Sequence, residues 1–267
     1  MDETTRTIRD FYDAAVEDEW NRIAGRPEFL LTCRMLDRYI KPGDTVLDIG
    51  GGPGRYSLYL AGRGCDVTLL DLSPENVRFA QERAAEQGMP LKAIAGDARE
   101  ADVLLGGTYD HVLLMGPMYH LLEQSERRKA MHAALKVLKR DGLMFVSFIS
   151  LIAGVIYYMK HMPEAIALPG ERAYQTCFFE KKTYAGDAFT KAAFMEPGEI
   201  LPFMAQFPLE KLHLFGQEGI LSPCEGNIMS QPQEIINQWL DLCEQIWERE
   251  ELLSWSEHLM YIGRKRA

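Results

Sequence analysis

The sequence predicts an α/β protein in which a seven-stranded, mostly parallel, doubly wound sheet follows N-terminal helices and carries an inserted cap. Three observations predict this fold. Strand and helix patterns alternate between about residues 45 and 149, a glycine-rich turn follows the first strand, and acidic residues follow the second and third strands. Such alternation is typical of a parallel sheet with helices on both faces, so the ends of these strands meet at one edge.

The predicted strands are short apolar runs bounded by turn residues. They cover residues 45–49, 66–70, 91–95, 109–115, 143–149, 210–215 and 258–263. Predicted helices follow the glycine turn and cover 73–87, 123–139, 199–207 and 232–253. The amphipathic pattern of residues 1–40 indicates two more helices.

Four regions follow from this pattern. We expect an N-terminal helical lid over 1–40, a core with the ligand crevice over 41–149, an inserted cap over 150–196, and the remainder of the core over 197–267. A Pro-Gly turn at 42–43 marks the first boundary because both residues end a helix. The cap is rich in aromatic residues but has no clean period, which fits either a cover over a ligand or an extra structural layer.

The composition limits the possible partners. The chain has 267 residues, of which 47% are hydrophobic and 25% charged, as in ordinary globular proteins. Its formal net charge of −10 disfavours a nucleic-acid partner, because the phosphate backbone would be repelled. The longest basic cluster, Arg264-Lys265-Arg266, fits a solvated tail.

The compartment follows from the cysteines and from the first residues. Five scattered cysteines without a C-x-x-C pair fit reduced thiols in the cytoplasm. The first thirty residues contain no apolar signal-peptide core. An uncharged stretch at 142–159 is interrupted by serines and a glycine, so we expect a strand, a loop and a helix there. We therefore predict a cytoplasmic protein without membrane contact.

The most informative stretch is the run from Val46 to Gly54, in which an apolar strand enters a glycine-rich turn that opens a helix. Glycines without Cβ atoms let a ligand lie against the backbone, and the helix start offers unpaired N–H groups. Asp71 follows the second strand, where a carboxylate can accept hydrogen bonds from ribose hydroxyls. Asp97 follows the third strand, where with Ala98 it suits an adenine edge. The three strand ends describe one crevice.

These motifs resemble the class I methyltransferase family, whose fold is Rossmann-like. Three motifs carry the resemblance, which covers about residues 40–150: two hydrophobic residues followed by an acid and spaced glycines, and an acid after each of the next two strands. The third is the run Met115-Gly116-Pro117-Met118-Tyr119-His120-Leu121, which resembles the bacterial small-molecule subset of the family. The resemblance implies S-adenosylmethionine as the methyl donor and S-adenosylhomocysteine as the product.

The resemblance also implies the cofactor contacts. They are Asp48, Gly50, Gly51, Gly52, Gly54, Asp71, Leu72, Asp97, Ala98 and Met115. The glycines would approach the methionine moiety and Asp48 would serve its ammonium end or support the loop. Asp71 would hold the ribose, with Leu72 beside the adenine, while Met115 would pass near the sulfonium.

The acceptor chemistry is assigned to residues after the fourth strand and in the N-terminal helices. Tyr119 and His120 are the catalytic candidates, because an imidazole titrates near neutrality and can act as a base; packing at a helix start is the other use of His120. Tyr12, Trp20, Arg22 and Tyr119 are the candidates for acceptor contacts. For Trp20, core packing is favoured over a contact with the acceptor or the sulfonium.

Other functions were weighed against this one. A nicotinamide-dependent oxidoreductase needs G-x-G-x-x-G, and Arg55 or Ser57 stands where its third glycine belongs. A nucleic-acid base methyltransferase usually has Asp/Asn-Pro-Pro-Tyr after its fourth strand, which is missing here. A non-catalytic adenosyl-ligand protein stays open, as does the choice between monomer and homodimer. We expect a small-molecule acceptor and, without a His/Asp/Glu cluster at ligand spacing, no metal.

Overall fold

Nine strands form one mixed sheet within residues 1–266, which the computed structural model describes. They are β1 Thr45–Ile49, β2 Asp66–Asp71, β3 Lys92–Ala95, β4 Tyr109–Leu114, β5 Leu138–Ser150, β6 Tyr184–Asp187, β7 Lys191–Met195, β8 Leu209–Gly216 and β9 His258–Lys265. The order is β3-β2-β1-β4-β5, with parallel pairing throughout. The predicted mostly parallel α/β sheet is confirmed.

The far edge of the sheet differs from the expectation of seven strands. Strand β5 pairs with antiparallel β9 along residues 143–149, and β9 pairs with β8. At residues 149–150 the same strand pairs with β7, which forms a hairpin with β6. All seven predicted strands are present, and the hairpin adds two more from the predicted cap. Its strands are only four and five residues long, and four consecutive residues of β7 are buried, so no alternating pattern marks them.

The helices cover both faces of the sheet. They are α1 Glu3–Ala14, α2 Val16–Arg22, α3 Pro27–Tyr39, α4 Arg55–Gly62, α5 Pro74–Glu86, α6 Ala101–Leu104, α7 Gln124–Val137, α8 Ala153–His161, α9 Arg172–Glu180, α10 Pro197–Met204, α11 Glu225–Met229 and α12 Gln233–Ile246. None of these helices of residues 1–266 combines the length and the apolar character that crossing a bilayer would need.

Two helix predictions need correction. The N-terminal region holds three helices rather than two, because α2 is a separate short helix. The helix predicted over 232–253 ends at Ile246, where the chain turns. Trp247 packs on Phe215 there, with ring centroids 4.4 Å apart, and its carbonyl accepts a hydrogen bond from the amide of Gly216. Capping of β8 thus outweighs continuation of the helix.

Alternate residues of the central strands point to opposite faces, as expected of a sheet buried on both sides. One face packs against α7 and α10 through a cluster that includes Leu47, Val112, Leu114, Met131, Ala134 and Phe203. The other packs against α3, α4 and α12 through Val46, Leu113, Phe145, Leu36, Leu60 and Leu240. Full burial of each such side chain contributes about 1.5–3 kcal/mol, so the strand ends rest on a rigid support.

Candidate functional site

The glycine turn after β1 depends on backbone conformations that glycine favours. Gly50, Gly52 and Gly54 have φ of 71°, 56° and 88°. A Cβ at Gly50 would lie 2.3 Å from Cδ of Pro117, so the turn packs directly on the segment that follows β4. A Cβ at Gly54 would lie 3.0 Å from that of Ala80 in α5. The turn is therefore fixed by its protein neighbours before any ligand binds.

Asp48 lies beneath the turn and is buried. Its Oδ2 accepts a hydrogen bond of 2.7 Å from the Ser57 hydroxyl, and a Cβ at Gly51 would lie 2.7 Å from the same oxygen. Burial raises the pKa of Asp48 to about 6, with the nearby Asp71 carboxylate adding to the shift and Ser57 opposing it. The side chain thus supports the loop from below.

Asp71 ends β2 and ties two turns together. Its Oδ2 accepts a 2.8 Å hydrogen bond from the amide of Gly52 in the glycine turn. Its Oδ1 accepts from the amide of Ser73 at 2.9 Å and from Nδ2 of Asn76 at 3.1 Å. Burial raises its pKa, and these hydrogen bonds oppose the shift. Oδ2 keeps a lone pair for a further donor.

Asp97 follows β3 and is paired with Arg99. Arg99 donates from Nε to Oδ1 of Asp97 at 2.9 Å and from Nη1 to Glu126 at 2.7 Å. Its Nη2 also reaches the Thr5 hydroxyl in α1 at 3.1 Å. The arginine therefore fastens the N-terminal helix to the strand end that was assigned to adenine.

One cavity of about 1210 Å³, part of it open to solvent, runs along these strand ends. Its wall includes every residue that the sequence assigned to the site except Gly54 and Trp20: Tyr12, Arg22, Asp48, Gly50, Gly51, Gly52, Asp71, Leu72, Asp97, Ala98, Met115, Tyr119 and His120. The structure thus brings the thirteen together around one space. Their individual roles stay predictions.

Trp20 and Gly54 differ from the expectation. The Trp20 ring lies under the Arg55 guanidinium, 3.8 Å from the ring centroid, and packs against Phe79. Its carbonyl accepts a 2.8 Å hydrogen bond from Nε of Arg55. These contacts join α2 to α4 and α5 outside the cavity, because cation–π and apolar contacts hold the ring there. Gly54 instead caps the start of α4.

Tyr12 and His120 form a hydrogen-bonded pair on the cavity wall. The Tyr12 hydroxyl lies 2.6 Å from Nε2 of His120, and Nδ1 of His120 lies 3.0 Å from the carbonyl of Lys191 in β7. A carbonyl only accepts, so Nδ1 carries the ring proton and Nε2 accepts from Tyr12. Burial lowers the pKa of His120 to about 4. The imidazole is therefore neutral at pH 7, with its lone pair directed at Tyr12.

A charged cluster at the same end of the cavity was missed by the sequence reasoning. Arg22 donates to Glu28 at 3.1 Å and to Glu19 at 3.0 Å. His258, the first residue of β9, lies with Nδ1 2.6 Å from Oε1 of Glu218. Glu28, Gln217 and His258 all line the cavity, but they come from α3 and from the two C-terminal strands. The one sequence signal for this cluster was His258, a polar residue at the start of the mostly buried strand β9.

The chain is similar in sequence and in fold to known proteins. Residues 46–142 match a family model described as "Methyltransferase domain". A ubiquinone biosynthesis O-methyltransferase of Erwinia tasmaniensis is 27% identical over 182 residues, which is 65% of this chain and 65% of that protein. The chain thus spans slightly less than two thirds of the length of this relative.

Solved structures share the fold. Magnesium protoporphyrin IX methyltransferase from Synechocystis PCC 6803, crystallised with S-adenosylhomocysteine, matches with a TM-score of 0.61 and 16% identity, covering 98% of this chain and 100% of that one. The 1,6-didemethyltoxoflavin-N1-methyltransferase of Burkholderia thailandensis matches with a TM-score of 0.60 and 14% identity, covering 98% and 88%.

The sheet order and the crevice at the strand ends agree with the Rossmann-like fold of these methyltransferases, which the sequence predicted. The match to the methyltransferase domain is confined to residues 46–142, the part of the chain that holds the glycine turn and both strand-end carboxylates.

Proposed function

We propose that this protein transfers the methyl group of S-adenosylmethionine to a small-molecule acceptor. The observation that carries the proposal is the single cavity that joins the glycine turn and two strand-end carboxylates to a neutral Tyr12–His120 pair. The names of the relatives, which include O- and N-methyltransferases, support the same reaction class.

The residues of the crevice fit an adenosyl ligand. Asp71 has a lone pair left for ribose hydroxyls, and Leu72, Asp97 and Ala98 line the adenine end. A Cβ at Gly52 would meet no protein atom within 4 Å, so the space in front of this glycine is open to a ligand. When bound, the cofactor supplies a methyl group on a positively charged sulfur, and transfer leaves a neutral thioether. Met115 is the residue we assign to the wall beside that methyl group.

His120 is the proposed proton acceptor, with Tyr12 as the relay. When the acceptor atom is a hydroxyl oxygen, gaining the methyl group makes its proton far more acidic than the His120 imidazolium, so a base with a pKa of about 4 suffices. The proton passes to the Tyr12 oxygen while the Tyr12 hydroxyl proton passes to Nε2 over 2.6 Å. The Lys191 carbonyl keeps the ring oriented during this step. Tyr119, beside His120, would position the acceptor.

The N-terminal region, residues 1–40, would close the cavity as a lid. Helix α1 is fastened by Tyr12 to His120, by Asp13 to the Ser73 hydroxyl, and by Thr5 to Arg99. These contacts lie along the whole length of the helix and hold α1 beside the cavity. Residues 150–196 would form the cap on the acceptor side, where Lys191 already contacts His120.

The location and partners are part of the same proposal. Cytoplasmic residence is supported by the five free cysteines of the described chain. A small-molecule acceptor, rather than a nucleic acid, is supported by the net charge of −10 and by a cavity that is only partly open to solvent.

Calorimetric titration tests the cofactor assignment. S-adenosylhomocysteine and S-adenosylmethionine should bind with micromolar dissociation constants and NAD should not. Asp71→Ala should weaken adenosyl binding at least tenfold, whereas Asp66→Ala at the other end of β2, an exposed position, should not. Binding of NAD alone would reject the proposal. Adenosyl binding without methylation of any member of a panel of phenols and amines would favour a non-catalytic adenosyl-ligand protein.

A further inference from the structure

His258 lies at the acceptor end of the cavity, outside the residues given a role so far. Glu218 fixes its ring: Oε1 is 2.6 Å from Nδ1, while Oε2 accepts from the backbone amide of His258 at 2.9 Å and from the Ser256 hydroxyl at 2.6 Å. The Glu218 side chain is only 4% exposed. The carboxylate is therefore held rigidly and commits Nδ1 to the pair.

The other ring nitrogen faces a different situation. No hydrogen bond among residues 1–266 uses Nε2 of His258, and the side chain keeps 15% exposure beside the cavity. Its polar neighbours Gln217 and Ser147 are occupied, because Ser147 donates to Gln217 and Gln217 donates to Thr32 at 2.9 Å. Nε2–H is thus a donor at this end without a protein acceptor.

The charged groups around the ring come from three places. Glu218 follows β8, Glu28 comes from α3, and α2 supplies Arg22 together with Glu19, which pairs with Arg22 and also lines the cavity. The neutral Tyr119 ring, after β4, lies 6.2 Å away. Glu28 approaches Nδ1 at 4.0 Å and is itself paired with Arg22. Both carboxylates therefore approach the ring at Nδ1, and neither accepts a hydrogen bond from Nε2.

These two carboxylates decide the protonation state. Burial opposes a charge on the imidazole, but Glu28 and Glu218 outweigh it and raise the pKa of His258 to about 9. His258 is therefore a cation at pH 7, whereas His120, whose ring centroid lies 4.8 Å from that of Tyr119, is neutral. Opposite charge states in one site favour separate roles.

We propose that His258, held by Glu218, binds an anionic group of the acceptor through Nε2–H, so that the acceptors of this enzyme carry a carboxylate or a comparable acidic group. The proposal deepens the proposed methyl transfer and rests on it. Charge-assisted hydrogen bonds are short and strong in a cavity from which water is largely excluded. The reacting hydroxyl or amine would then face His120 and the anion would face His258, with Tyr119 between them.

A divalent cation is the competing occupant of this corner. Ligand-type atoms of Glu28, Glu218 and His258 lie within 4.8 Å of one another. A cation there would have to displace the His258 proton and would stand beside Arg22, which contributes positive charge at Glu28. The existing pairs satisfy the same atoms without that cost, so the imidazolium is favoured.

The test compares benzoate with benzamide, which have nearly the same size and differ in charge. Dissociation constants are measured by calorimetry on protein saturated with S-adenosylhomocysteine, in the presence of EDTA. We expect wild type to bind benzoate at least tenfold more tightly than benzamide. His258→Gln should reduce the ratio to near one, while His132→Gln, at an exposed position of α7, should leave it unchanged. A wild-type ratio near one overturns the proposal.

Two further measurements do not depend on whether His258→Gln folds. The pKa of His258, read from its ring signals by NMR in wild type, should lie well above 7 and fall in Glu218→Gln. Benzoate affinity should be constant from pH 6 to 8 and decline as the pH passes about 9. A benzoate preference that EDTA abolishes and Zn²⁺ restores would instead assign the corner to a metal.

The two proposals fail in different ways. If S-adenosylhomocysteine does not bind, the methyl-transfer proposal is rejected. The proposal that His258 binds an anionic methyl acceptor is then rejected as well. If S-adenosylhomocysteine binds and benzoate shows no preference, methyl transfer stands and the role of His258 is rejected.

Discussion

The protonation state of His120 makes a prediction about stability that needs no acceptor. His120 is neutral in the folded protein because burial lowers its pKa from 6.5 to about 4, whereas in the unfolded chain the imidazole titrates normally. Between these two values the unfolded state binds the proton and the folded state does not. The contribution of the neutral His120 to the free energy of unfolding is therefore complete above pH 6.5, and it is lost as the pH falls toward 4.

The magnitude follows from the two pKa values. At ~1.4 kcal/mol per pKa unit, the gap between 6.5 and about 4 is worth about 3 kcal/mol in full, and about 2 kcal/mol of it is lost by pH 5. His120→Gln removes the titrating group but keeps an acceptor for the Tyr12 hydroxyl. The stability difference between wild type and His120→Gln should therefore shrink by about 2 kcal/mol between pH 7.5 and pH 5.

Urea denaturation followed by tryptophan fluorescence at five pH values gives this difference directly. Other groups titrate in the same range, such as Asp48, but they do so in both proteins and cancel in the comparison. His132→Gln is the control, since that exposed residue contacts only the Phe207 ring edge and should leave the pH dependence unchanged. Parallel curves for wild type and His120→Gln would refute the neutral, buried imidazole, and with it the proposed proton relay.

Three further predictions concern the lid and the turn. Tyr12→Phe leaves Nε2 of His120 without its donor and should lower the free energy of unfolding by about 1–3 kcal/mol in chemical denaturation; the exposed Tyr157→Phe should not change it by more than about 0.5 kcal/mol. Gly50→Ala should cost about 1–3 kcal/mol more than Gly52→Ala, because both have positive φ but only Gly50 would bring a Cβ against Pro117; equal costs would show that the contact relaxes freely. Arg99→Gln removes the link between α1 and Asp97, so amide exchange in α1 should accelerate several-fold, whereas Arg78→Gln, on the exposed face of α5, should leave it unchanged.

The crevice could be predicted because its residues are local. Strand β1, the glycine turn and the start of α4 are consecutive, and Asp71 and Asp97 follow strands whose apolar runs are easily recognised. Parallel pairing then brings those ends to one edge, so a rule about topology converts sequence spacing into proximity. The hydrogen bond from the Gly52 amide to Asp71 shows that the ends of β1 and β2 do meet at this edge.

The acceptor end could not be predicted in the same way. Glu28, Glu218 and His258 are separated by up to 230 residues (258 − 28), and they meet only because β9 returns antiparallel beside β5. For Trp20 the sequence favoured core packing over a site contact, and the ring does pack between Arg55 and Phe79. Long-range pairing, rather than local pattern, decides which side chains face the acceptor.

The two histidines show what that pairing does to the chemistry. His120 is surrounded by the rings of Tyr12, Tyr119 and Phe189, and burial among them outweighs the Lys191 carbonyl, whose hydrogen bond favours the charged form. His258 meets two carboxylates, Glu28 and Glu218. Of two histidines that both pack near Tyr119, one is thus neutral and the other cationic at pH 7, because the groups around each ring differ. An acceptor bound between them would face a proton acceptor at its reacting atom and a fixed positive charge at its far end, an asymmetry that orients it with one end toward the methyl group.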